Sequence, residues 1–73
     1  MNPLVVGEIG DDHHLGRTFF CETTDDAWRA LELLFGENGV ESPPEKEYWD
    51  DNCEWVSPSG RMYFVGGLET VGD

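Results

Sequence analysis

Carboxylates are the chemically loaded residues of this chain. Seven acids, Glu37, Glu41, Glu45, Glu47, Asp50, Asp51 and Glu54, stand in one stretch against the single base Lys46. Such a group can do acid–base catalysis, hold a hard cation, or present negative charge to a basic partner. Catalysis needs a concave pocket that sets two pKa values apart, and 73 residues leave little interior for one. Ser57 and Ser59 have no His near them in sequence and no nucleophile elbow. An enzyme is therefore not expected. Glu47, Asp50, Asp51, Asn52 and Glu54 lack the D-x-[DN]-x-[DN]-G order of a calcium loop. His13 and His14, with Asp11, Asp12, Cys21 and Cys53, carry atoms suited to zinc. Their spacing fits neither H-x₃₋₅-H nor C-x₂₋₄-C, and adjacent histidines on an extended chain point to opposite sides. No metal and no cofactor is expected.

The third role agrees with the whole chain. It has 16 Asp and Glu against four Lys and Arg, a formal net charge of −12. Half of that excess lies between Glu37 and Glu54; beyond Glu54 only Arg61, Glu69 and Asp73 are charged. Charge of this density repels phosphate, so direct nucleic-acid binding and adhesion to anionic membranes are disfavoured and a basic partner is favoured. A content of 38% hydrophobic and 12% aromatic residues is too apolar for a disordered acidic tail. The length supports one domain, 1–73. Met1 to Val6 has no basic region and too short an apolar run for a secretory signal, and no stretch approaches a membrane span. A soluble, cytoplasmic protein with both cysteines reduced is expected.

The elements that must position these groups follow from local chemistry. Leu4–Ile9 is a first strand, placed at a sheet edge by Pro3 and Gly7. Gly10 to Gly16 is a hairpin loop, and Arg17 to Glu22 a second, antiparallel strand. Thr23-Thr24-Asp25-Asp26 starts a helix, with a Thr capping free amides and the acids against the positive end. Ala27, Trp28, Leu31, Leu34 and Phe35 fall on one stripe; Leu33 lies off it. Asp25 and Arg29, four apart, form a weak surface pair. Gly36 and Asn38-Gly39 stop the helix. Ser42-Pro43-Pro44-Glu45 fits a capping box for a short second helix from Pro43 to Asp51; the alternative is a polyproline-like loop ending at Tyr48 and Trp49. Ser57-Pro58-Ser59-Gly60 is a turn between two strands, sending Met62 and Phe64 to one face and Tyr63 and Val65 to the other. Leu68 to Asp73 is a loosely held tail. The fold class is α+β: a small antiparallel sheet in the order β-β-α-β-β with one helix packed on a face.

Tyr48 and Trp49 sit in the most acidic stretch, where Trp49 is either an interface anchor or a core residue pinning the loop. The acids themselves have three explanations. Solubility needs less charge than this. Adaptation to high salt spreads acids evenly, unlike the pattern here. Mimicry of nucleic acid uses carboxylates as phosphate substitutes in a Lys/Arg groove. Carboxylates two apart on a strand lie about 6.6 Å apart, near two phosphate rises of one DNA strand. Glu45, Glu47, Asp50, Asp51 and Glu54 are the expected row, flanked by Glu37 and Glu41, with Asp11 and Asp12 adding a second patch if the first hairpin loop folds nearby.

The size, the acidity, the β-hairpin followed by a capped helix, and the Glu37 to Glu54 stretch together resemble small phage-encoded anti-CRISPR proteins of the DNA-mimic kind. The resemblance is of type, covers the chain loosely and carries over no signature residue. It implies a stoichiometric, non-enzymatic inhibitor on the DNA-binding or PAM-reading surface of a CRISPR–Cas effector, such as a multi-subunit type I complex, in the host cytoplasm. Two other readings remain. One is a protein-interaction module such as an antitoxin or assembly adaptor, with Leu33, Tyr63 and Val65 as its apolar contact. The other is a small metal-binding protein.

Overall fold

Alternating strands and one amphipathic helix leave few ways to close a core in a chain this short. In the computed structural model, which describes residues 3–50 and 52–67, β1 (Leu4–Ile9) and β2 (Leu15–Cys21) form a hairpin. There follow α1 (Thr24–Glu37), a single 3-10 turn at Lys46–Tyr48, and the hairpin of β3 (Asn52–Val56) and β4 (Met62–Gly67). The four strands make one antiparallel sheet in the order β2-β1-β4-β3, and the helix packs on one face. The fold is α+β, as the sequence predicts.

The position of β1 differs from expectation: it is central, not at an edge, because the last strand returns to pair with it from Leu4↔Gly67 to Ile9↔Met62. Pro3 lies just before the strand, so its missing N–H removes no bond from β1 itself. Gly7 has a packing role instead. A Cβ there would sit 2.6 Å from Cζ of Phe64, whose ring crosses the strand at that point. β4 also runs through Gly66 and Gly67, both of which pair with β1.

Thr23 is the N-cap of α1, its hydroxyl accepting from the Asp26 amide at 3.1 Å, with Asp25 and Asp26 in the first turn. The other end is a Schellman motif. The Val40 amide donates to the Phe35 carbonyl at 2.9 Å, and Gly39, at φ +66°, donates to Gly36 at 3.3 Å. Between the caps the stripe behaves as its spacing dictates: Ala27, Leu31, Leu34 and Phe35 are buried, Trp28 packs beside them, and Leu33 is exposed. They meet Leu4 and Val6 of β1, Cys21 of β2, and Tyr63 and Val65 of β4.

The second helix is absent. Glu45 stays extended (φ −70°, ψ 156°), and only Lys46–Tyr48 make a 3-10 turn, so the loop alternative holds. A nine-residue helix would carry only the neighbours Tyr48 and Trp49 as large apolar residues. That is no stripe to bury, and nothing offsets the cost of nucleation. The expected Asp25–Arg29 pair acts only through charge, and the closer partner is Lys46: Asp25 accepts from its Nζ at 2.8 Å, tying the loop to the start of α1.

The β3–β4 turn forms as expected, with the Gly60 amide donating to the Ser57 carbonyl at 2.9 Å and Gly60 at φ +94°. Cys21 and Cys53 are free thiols on the two opposite edge strands. Asp51 and the tail Leu68 to Asp73 lie outside the described residues. In urea unfolding, Leu31→Ala should cost about 3 kcal/mol, since the side chain is fully buried. Thr23→Ala should cost about 1 kcal/mol through loss of the cap.

Candidate functional site

A four-stranded sheet has two faces, and the one helix covers one of them. Register pairing sets out the other face as three rows across β2, β1, β4 and β3. The first is Phe20–Val5–Gly66–Asn52, the second Thr18–Gly7–Phe64–Glu54, and the third Leu15–Ile9–Met62–Val56. The third row is wholly apolar. Phe20 is 74% exposed, Leu15 65% and Val56 54%, high values for large apolar side chains. Between β1, β4 and β3 the face dips into an open groove of about 540 Å³ lined by Ile9, Met62, Phe64, Asn52 and Glu54. Among the described residues Glu54 is the one charge in these rows.

Apart from Glu54, the described candidate acids lie elsewhere on the surface. Asp11 and Asp12 occupy the β1–β2 turn, where Asp12 accepts from the His14 amide at 3.1 Å and meets its Nδ1 at 3.0 Å. Those contacts hold the Asp12 carboxyl below its usual range. Glu37 ends α1 and pairs with Arg17, whose guanidinium also lies 5.0 Å over the Phe19 ring. Glu41, Glu45, Glu47 and Asp50 are exposed along the segment from α1 to β3, and Asp50 caps that strand by accepting from the Asn52 amide at 3.0 Å. Glu54 is exposed on β3.

Tyr48 is half exposed; its hydroxyl donates to the Glu54 carbonyl at 3.0 Å while the Cys53 thiol donates to the Tyr48 carbonyl at 3.3 Å. The two bonds staple the acidic segment to β3. Trp49 is 6% exposed and packs against Phe35 at 6.1 Å, so it belongs to the core and is not a partner anchor. Its neighbour in sequence, Tyr48, is the last residue of the 3-10 turn and stays exposed, while Trp49 leaves the turn in an extended conformation. Tyr63 and Val65 are also buried, which removes them as an apolar partner contact. Of that proposed patch only Leu33 is exposed. Asp51 is not among the described residues.

Glu8 is the exception among the described acids, being buried. Its Oε2 accepts from Asn38 Nδ2 at 2.6 Å and faces Arg61 at 3.7 Å, while Oε1 lies 3.5 Å from the Arg17 amide. The β1–β2 ladder is irregular beside it: the register passes from Gly7↔Thr18 to Ile9↔Leu15, so Gly16 and Arg17 both oppose Glu8. A Cβ at Gly16 would lie 2.6 Å from Glu8 Cγ, so this glycine makes room for the carboxylate.

Arg17, Lys46 and Arg61 are thus each committed to an acid of the fold. Lys46 pulls the Asp25 carboxyl below its ordinary range, and Asp25 raises the Lys46 ammonium in turn. No group of three or more His, Cys, Asp and Glu side chains able to hold a metal occurs among the described residues, nor does any helix there have the length and apolarity to cross a membrane.

The open-face residues Leu15, Phe20 and Val56 escaped the sequence reading as candidates. Their signal was present: one helix can cover only one of two alternating side-chain sets, and Phe19-Phe20 supplies one ring to each face.

Sheet, helix and surface define a small α+β domain with an acidic exterior and one sheet face that no described residue covers. Comparison with protein-family models, with curated proteins and with solved structures finds no match.

Lys46→Ala should return the Asp25 carboxyl upward toward its usual pKa, read from an NMR titration of its side-chain carbon. The pair stabilises the fold above the unfolded-state pKa of Asp and is lost as pH falls through the depressed value. Acid unfolding of the variant should therefore lack that contribution, which a comparison of urea midpoints at pH 7 and pH 3 would register.

Proposed function

We propose that this protein is a non-enzymatic inhibitor that presents DNA-like charge to the nucleic-acid-binding surface of a basic protein. The target in this reading is a CRISPR–Cas effector in the host cytoplasm, as the resemblance to DNA-mimic anti-CRISPR proteins implies. The observation that carries the proposal is the distribution of charge. Every described acid except Glu8 is exposed, and three of the four cations are already held by acids of the fold. The negative surface therefore has little internal compensation.

A Lys/Arg groove built to displace counterions from DNA meets the same sign of charge on this surface. Glu45 and Glu47 flank Lys46, whose ammonium is turned to Asp25, so both carboxylates remain exposed beside an occupied cation. Asp50 and Glu54 continue the acidic edge into β3. Glu37 is available only in exchange for its pair with Arg17.

Expression of the protein in cells immunised by type I or type II effectors should restore plating of a targeted phage for at least one of them. The triple variant Glu45→Lys, Glu47→Lys, Asp50→Lys should weaken inhibition by about tenfold or more, equivalent to about 1.4 kcal/mol. Rising salt should weaken the purified complex. Full inhibition by the triple variant would overturn charge mimicry and leave a module, such as an antitoxin or adaptor, that binds by packing alone.

A further inference from the structure

We propose that the uncovered face of the sheet is a docking surface for an apolar segment of a basic protein, with a Lys or Arg of that segment lying in the groove and reaching Glu54. This rests on the reading above that the partner is a basic protein. It assigns the packing contact to a different part of the molecule from the acid-rich loop.

The first support is the kind of surface left open. Phe20 and Leu15 stand on the β2 edge with most of their area in water, and Ile9, Met62 and Phe64 continue the apolar surface toward β3. Contiguous apolar area of this sort on a small domain marks an interaction site. The Phe64 ring has a fixed seat: it lies across Gly7, where any Cβ would collide with it. The groove floor at Phe64 is therefore preorganised, which lowers the cost of ordering it on binding.

Charge complementarity selects the occupant. A second copy would set Glu54 and a net charge of −12 against their own likeness. A basic segment meets attraction instead. The groove has an apolar floor of Ile9, Met62 and Phe64 with the carboxylate at one side, which suits a side chain with a long aliphatic stem and a cationic head. An Arg there can also lie against the Phe64 ring. Tyr48 holds the Glu54 backbone from behind, leaving the carboxylate exposed to receive the cation.

Two synthetic peptides of equal length and charge, one alternating Lys and Leu and the other alternating Lys and Ser, test the proposal on the full-length chain. The Lys-Leu peptide should bind at least about tenfold more tightly. It should shift the amide resonances of Phe20, Ile9, Met62 and Phe64. Phe20→Ser with Leu15→Ser, both at exposed positions, should reduce its affinity to that of the Lys-Ser peptide, and Glu54→Gln should weaken it several-fold. Equal affinity for the two peptides overturns the docking surface while leaving charge mimicry standing. So does a chain that sediments as a dimer and becomes monomeric in the Phe20→Ser, Leu15→Ser variant, because a second copy then fills the face. Failure of the charge-reversal experiment with these peptide results intact would instead overturn mimicry alone.

Discussion

Phe35 meets four aromatic rings beneath α1. Trp28, Trp55 and Tyr63 approach it edge-on at 6.4, 5.9 and 4.9 Å, and Trp49 is tilted at 6.1 Å. The helix itself lies over β1 and β2, so without these rings the β4–β3 half of the covered face would have little above it. Each ring comes from a different place in the chain. Trp28 belongs to the helix, Tyr63 and Trp55 to the last hairpin, and Trp49 to the loop between. One side chain thus joins the helix, the hairpin and the acidic segment, and edge-on aromatic contacts add to the area they bury. The helix is consumed by this task, and the opposite face has nothing left in the described chain to cover it.

A second junction sits at the end of the sheet. Glu8 from β1 is reached by Asn38 at the C-cap of α1, by Arg61 beside the β3–β4 turn, and by the irregular stretch of β2. A buried carboxylate is costly unless its lone pairs are occupied, and here three separate elements occupy them. In a chain with 16 acids this is the one described acid that is buried. The Tyr63 hydroxyl is buried in the same region without a hydrogen-bond partner, and burial pushes its pKa up.

Features fixed by neighbours in sequence were legible; those fixed by distant partners were not. Thr23 caps its own helix, Gly39 closes it, and Gly60 turns the last hairpin, all through bonds spanning five residues or fewer. The stripe ending at Phe35 is equally local. The central place of β1 depends instead on β4, more than 50 residues on, and no property of Leu4–Ile9 announces that pairing. The loop from Pro43 shows the reverse: its capping-box pattern is a valid local signal, yet burying Trp49 against Phe35 prevails over it. The described acidic candidates are at the surface, where an unpaired charge is best solvated. Trp49 was not decidable, since a tryptophan suits a core and an interface equally well and only Phe35 settles which.

The same physics links the open face to the acids. Arg17 joins β2 to the end of α1, Lys46 joins the loop to its start, and Arg61 serves Glu8, so the few cations are used as structural ties and not as a screen for the surface. Self-repulsion among the remaining carboxylates opposes the compact state. A basic partner of the kind proposed would relieve that repulsion in the folded form, where the acids are held close, more than in the extended chain, and would stabilise the fold by linkage on binding. Charge by itself is screened and discriminates poorly among basic surfaces. In the proposed reading the open face adds a contact that salt does not weaken, so that many cationic surfaces would be attracted and only those that also fit Phe20, Phe64 and the groove beside Glu54 would be held.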